Sequence, residues 1–222
     1  VALRLQKWCA GQRLGWALDN EKDLLEFEPG GATGFDYTEI LDDQIVMPAV
    51  MMYLMFRVEE RIDGRRFAFF MDEYWKALSC SYFEDFAKNK QKTIRKQNGF
   101  GVYMTQSPSD TLDSPIARAL IEQTATFMFL PNPTADRTDY VEGFKLTDSQ
   151  FEIVRALPPS SRYFLIKQGS SVAVATLDLN GFTDELKILS GTTDGVARLD
   201  KIRSRLGNDP DVWIEPFLRG EQ

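Results

Sequence analysis

The 222 residues contain no histidine and only two cysteines, Cys9 and Cys80. Without imidazole there is no Ser-His or Cys-His catalytic pair, and two isolated thiols are too few for a zinc site. They provide no disulfide framework either and fit a reducing, cytosolic compartment, with Cys80 read as a packed thiol on a helix. Long apolar runs are missing as well. The longest, Ile45 to Phe56, is twelve residues with Pro48 inside it, short of the roughly 18 that span a bilayer. No signal-peptide pattern opens the chain. A net charge of −7 leaves no broad basic face for a nucleic-acid backbone, although a local basic channel is compatible with it. The phosphate-loop pattern G-x-x-x-x-G-K-[ST] is absent, and so is any Gly-Lys dipeptide. Val1 is not an initiator methionine and the chain begins in mid-pattern, which predicts a piece of a longer polypeptide.

What is present is an ordinary globular composition, 43% hydrophobic, enough for one domain or one and a fragment. Two short apolar runs carry the chemistry. Phe67-Ala-Phe-Phe-Met71 ends in Asp72-Glu73, and Phe100-Gly-Val-Tyr-Met104 ends in Thr105-Gln106. Each reads as a buried parallel strand with polar side chains at its C-terminal tip, the edge where open α/β sheets bind ligands. One carboxylate at such a tip suits a largely hydrated magnesium ion. A second can orient or deprotonate an attacking water. A neighbouring carboxamide can contact both that water and a γ-phosphate. The alternative for Asp72-Glu73 is an acid pair capping the helix that starts at Tyr74; for Thr105-Gln106 it is an ordinary polar strand end.

Around these runs the pattern predicts alternating helices and strands. An amphipathic segment surrounds Trp8 and Trp16, a turn or cap falls at Asp19-Asn20-Glu21, and a short strand covers Phe35–Leu41. A helix runs from Pro48 to Ile62, and another from Tyr74 to about Asn98. A loop covers Ser107–Asp110, followed by a helix capped by Ser114 with Pro115 at its first position. Thr124–Leu130 is a strand, and Thr147-Asp-Ser-Gln150 is a capping box. Arg162–Gln168 and Ser171–Leu179 form an antiparallel pair turning at Gly169, and a last helix spans Thr193–Leu206. The run from Lys88 to Lys96 reads as a solvated basic helix face. Arg95 or Lys96, at its end, is also placed to reach a neighbouring subunit's γ-phosphate.

The succession RRFAFFMDEYWKAL, IRKQNGFGVYMTQSPSD, SRYFLIKQG, LKILSG and DPDVWIEPF resembles the C-terminal part of the type IV secretion ATPases, the conjugative-transfer TrbE/CagE/VirB family. WALDNEKDLLEF and GFDYTEILD fit the same family between its phosphate loop and its acid pair. The resemblance covers nearly the whole chain. It implies a RecA-like, FtsK/HerA-related P-loop NTPase: an α/β three-layer sheet with helices on both faces, incomplete on its N-terminal side. Residues 1–46 would follow the phosphate loop and 47–222 would run from the acid-pair region to the C-terminus of the motor domain.

The resemblance also implies ATP and magnesium as cofactors, with Asp72 holding the metal through water, Glu73 activating water and Gln106 sensing the γ-phosphate. Arg95 becomes the finger candidate, with Lys96 as the alternative. Lys167-Gln168-Gly169 falls near the nucleotide or a subunit contact, or is simply a strand-end turn. Expected partners are further copies of the chain, as a hexamer or dimer, other secretion components, and a DNA or protein substrate. The expected location is the cytoplasmic face of the bacterial inner membrane, peripherally attached. The implied function is ATP hydrolysis energising secretion, conjugative transfer and pilus assembly. The alternatives are a DNA-translocating coupling protein or FtsK-like motor, and a mainly structural assembly platform. Without a phosphate loop, these residues alone are expected to be inactive.

Overall fold

A computed structural model describes residues 2–27, 30–77 and 93–220. The expected helix over 74–98 lies outside them from residue 78 to 92, as do Cys80 and the basic residues from Lys88 to Lys92.

Two sheets organise the chain. In the first, β1 (Phe67–Met71) and β2 (Gly99–Tyr103) pair in parallel, from Phe67 opposite Gly99 to Met71 opposite Tyr103. Glycine at 99 and 101 is required by this register. A Cβ at either position would lie 2.3 or 2.7 Å from the Phe67 or Phe69 ring, which leans over the neighbouring strand. The second sheet is antiparallel, with β3 (Thr126–Phe129), β4 (Tyr163–Gln168) and β5 (Ser171–Thr176) in that order.

Helix α3 (Val46–Glu59) supplies the floor of the first sheet. Its apolar residues Met47, Met51, Leu54 and Met55 pack with Met71, Tyr74, Ile116 and Leu120 into one buried cluster. The opposite face of the sheet is different: Phe70 and Phe100 are 66% and 57% exposed and touch each other edge to face. The expectation of strands buried on both faces is therefore not met among the described residues, because only the face bearing Phe69 and Met71 is covered.

A second cluster, Phe129, Tyr140, Phe144, Leu146, Phe151, Val154 and Leu165, lies under the antiparallel sheet. Its helix, α7 (Asp148–Ala156), starts with the expected reciprocal cap. Thr147 Oγ1 accepts from the Gln150 backbone, and the Gln150 side chain accepts from the Thr147 N–H.

Several sequence expectations are corrected. Phe35–Leu41 is not a strand: Asp36 accepts from the backbone and hydroxyl of Thr38, and this local turn diverts the chain into a 3₁₀ turn at Thr38–Ile40. Ser107–Asp110 is not a loop, because Pro108 opens the short helix α5 (Pro108–Leu112) after an extended Ser107. Helix α6 (Ala117–Gln123) begins past Pro115, since Ser114 accepts from the backbones of Ile116 and Ala117 in a preceding turn. The expected helix Thr193–Leu206 is present (α9), but it is not the last. Asp209 caps α10 (Pro210–Arg219) through the Asp211 N–H, and α8 (Thr183–Leu189) precedes both. The remaining α-helices are α1 (Ala2–Gln6), α2 (Gly15–Leu18) and α4, described over Tyr74–Ala77, and a π-helical turn covers Thr138–Gly143.

Helix α5 joins the two cores. Tyr74, in the first, donates its buried hydroxyl to Thr111 Oγ1 at 2.8 Å, and burial raises the Tyr74 pKa above its ordinary value. Leu112, one residue on, packs on the second core. Replacing Thr111 by valine keeps the shape and leaves the Tyr74 hydroxyl without its acceptor. Denaturant unfolding of Thr111→Val is expected to show a loss of about 1–3 kcal/mol; an unchanged midpoint would mean that the bond contributes nothing.

Candidate active site

The sequence M-D-E-Y brackets two carboxylates with two anchors. Met71 is 6% exposed and Tyr74 4%, so the core fixes both flanks while Asp72 remains exposed and Glu73 half-buried. At this tip the parallel ladder is irregular. The Met104 N–H donates to the Met71 carbonyl at 2.8 Å, but the Met104 carbonyl accepts from Tyr74 N at 3.4 Å. A regular parallel ladder would use the N–H of residue 73. One residue has been inserted, which is the signature of a bulge, and Glu73 accordingly adopts a left-handed φ of 46°. Such a conformation is uncommon for a side chain other than glycine or asparagine, and such outliers cluster at functional sites.

The released Glu73 N–H donates to Asp72 Oδ1 at 3.1 Å. The Trp75 indole N–H donates to the Glu73 carboxylate. From another part of the chain, the Tyr37 hydroxyl donates to the Asp72 carbonyl at 2.9 Å. Burial, and after it the negative charges of Asp72 and Glu73, raise the Tyr37 pKa, so this hydroxyl stays protonated as a donor. The acid pair is thus clamped from both sides by aromatic donors, neither of which was singled out from the sequence. For Trp75 the signal was present, an indole two residues past the acid. For Tyr37 there was none, because the contact spans 35 positions.

On the adjoining strand Met104 continues the ladder, and Thr105 turns back. Its hydroxyl accepts from Ser107 N and donates to the Ser107 carbonyl, both at 3.1 Å. Thr105 is therefore used in shaping the turn, while Gln106, two residues past the last inter-strand bond, is exposed with its carboxamide free of partners among the described residues. Asp72, Glu73 and Gln106 share one end of the parallel pair.

Arg95 and Lys96 do not. They lie exposed in the 3₁₀ turn Ile94–Gln97 that leads into β2. The five residues of β2 at about 3.3 Å each put roughly 17 Å of strand between that turn and the polar tip. Neither cation can serve the acid pair of its own chain. Lys167 and Gln168 belong to β4, in the other sheet. Lys167 Nζ donates to the carbonyls of Phe144 and Lys145, and burial lowers its pKa. Gln168 Nε2 donates to Thr126 Oγ1 at 3.2 Å, and Gly169 makes the left-handed turn between β4 and β5.

No group of three or more metal-ligating side chains occurs among the described residues. The exposed Asp72 carboxylate, with only one oxygen engaged by backbone, suits a cation that keeps most of its waters, which is magnesium's habit.

The described residues form an α/β architecture in which a parallel strand pair carries Asp72, Glu73 and Gln106 at one end. The solved structure of VirB4 of Thermoanaerobacter pseudethanolicus superimposes on it with a TM-score of 0.56 at 19% identity, over 67% of this chain and 42% of that one. The fold is that of the RecA-like P-loop NTPases. More narrowly, the chain belongs to the TraG P-loop domain family, whose pattern matches residues 4–153. It is 47% identical over 223 residues to the type IV secretion system protein virB4 of Brucella suis, across 98% of this chain and 27% of that protein. It is 41% identical to the type IV secretion system protein PtlC of Bordetella pertussis, across 97% and 27%. The chain therefore spans about a quarter of the length of these curated relatives. No described helix is long and apolar enough to cross a membrane.

Proposed function

We propose that these residues form the hydrolytic half of an ATP-driven motor that energises type IV secretion, acting with a phosphate loop that the 222 residues do not contain. Residues 1–46 are the stretch following that loop, and 47–222 carry the acid pair, the amide tip and the C-terminal hairpin and helices. The observation that carries this reading is the inserted Glu73, held by Trp75 and set beside Asp72 and Gln106 at one strand-tip edge.

Each side chain has a distinct task. Mg²⁺, when bound, would supply charge neutralisation to the triphosphate, and Asp72 would hold it through water. Glu73, outside the regular ladder and fixed by the indole N–H, accepts the proton of the attacking water. Gln106, unencumbered, orients that water and contacts the γ-phosphate. Arg95, at the far end of the strand pair, serves the site of an adjacent copy in a ring or dimer. Lys167 and Gln168 hold the hairpin that supports the nucleotide's surroundings, with Lys167 acting through the 144–145 backbone. The assembled machine sits at the cytoplasmic face of the bacterial inner membrane through its other components, and moves a DNA or protein cargo.

The direct test is the magnesium dependence of ATP hydrolysis by the full-length protein carrying this chain. Asp72→Asn is expected to raise the Mg²⁺ concentration at half-maximal rate by about tenfold, the loss of one charge-assisted contact. Gln106→Ala should lower kcat at unchanged Mg²⁺ requirement. Identical Mg²⁺ curves for wild type and Asp72→Asn would remove Asp72 from the metal site.

A further inference from the structure

Away from the acid pair, α8, α9 and α10 border an open concavity of about 850 Å³, within the size range of small-molecule sites. Its charged lining is one-sided. Arg162, Lys187, Arg198 and Lys201 face it against a single carboxylate, Asp194, in a chain whose net charge is −7. Lys187 shares its charge with Asp184 at 3.6 Å. The side chains of Arg162 and Lys201 are exposed and make no ion pair or hydrogen bond among the described residues. Between the cations the wall combines apolar residues, Leu179, Leu186 and Phe217, with small or hydroxyl-bearing ones such as Gly181, Thr183 and Ser190, which allow close approach and offer further donors.

Arg198 is the most telling member. Its guanidinium lies 4.6 Å from the centre of the Phe217 ring, and one terminal nitrogen donates to the Phe217 carbonyl at 3.3 Å. That contact fixes the side chain between α9 and α10. Its Nε is nevertheless buried with no acceptor, and buried donors are normally satisfied. A guanidinium held by Phe217, with three further cations and several hydroxyls around one concavity, supplies the kind of donors that phosphate recognition uses.

We propose that this cavity binds a small polyphosphate-bearing ligand at a site separate from the Asp72–Glu73–Gln106 edge. A short basic concavity confined to three helices, in an acidic chain, favours a compact free polyphosphate over an extended nucleic-acid backbone.

Calorimetric titration of sodium tripolyphosphate into the 222-residue chain tests it, because this chain has no phosphate loop to compete. One-to-one binding that weakens with added salt is expected. The exposed pair Arg162→Gln/Lys201→Gln should reduce affinity by about tenfold or more, and the charge-keeping pair Arg162→Lys/Lys201→Arg should retain it. Arg198 is left intact because it holds two helices together, and matching thermal unfolding of the variants confirms that both fold. Absence of binding, equal affinity in the Gln variant, or tighter binding of an oligothymidylate than of tripolyphosphate would each overturn the proposal. Because Asp72, Glu73 and Gln106 play no part in this measurement, its failure leaves the motor assignment standing.

Discussion

Glu73→Gln in the full-length protein is expected to cut ATP turnover by about 10²–10⁴-fold, the range for removing a positioned general base, while leaving ATP affinity nearly unchanged. Gln preserves the shape and still accepts the Trp75 N–H, so the strand tip and its inserted residue stay in place and only the proton acceptor disappears. Trp75→Phe supplies the graded comparison. It keeps the ring, removes the indole donor to the Glu73 carboxylate, and should lower kcat by about tenfold through loss of orientation, with KM little changed. Phosphate release under single-turnover conditions, with nucleotide binding measured separately, distinguishes the two. Undiminished hydrolysis by Glu73→Gln would exclude it as the base.

Arg95→Ala is expected to be nearly as severe, about 10³-fold or more if it acts as a finger on a neighbouring site. The length of β2 between Arg95 and the Gln106 tip makes this a statement about two molecules rather than one. Mixing Arg95→Ala with Glu73→Gln protomers should restore about a quarter of the sites in a random one-to-one assembly, because an intact glutamate then meets an intact arginine across some boundaries. Lys96→Ala alone should change little. If no activity returns on mixing two individually dead proteins, Arg95 does not work in trans.

The strand ends that carry the candidate site were legible in the sequence because their signals are local. An apolar run of five ending in two acids reports a strand tip, and so does its partner ending in Thr105-Gln106. Thr147-x-x-Gln150 reports its own cap, and Gly169 its own hairpin. Expectation and structure part where a local signal competes with another. Phe35–Leu41 has a strand-like alternation, but Asp36 and Thr38 satisfy each other first. Asp209-Pro210 carries a helix start that was read only as part of a family segment. The clamp on the acid pair was not legible at all, since Tyr37 reaches Asp72 only after the chain has folded across the sheet. The same is true of the Arg198–Phe217 contact, which depends on how two helices cross rather than on either sequence.

Helix α5 has a mechanical consequence. It starts two residues after Gln106, Thr111 on it is tied to the tyrosine that follows the acid pair, and Leu112 beside it abuts Gly143, where even a methyl group would come within 2.6 Å. With so little slack, the short helix ties the residue after the acid pair to the Gly143 turn. Under the role proposed for Gln106, a shift of the residues after β2 would press first on the Thr138–Gly143 turn, which packs beneath the antiparallel sheet.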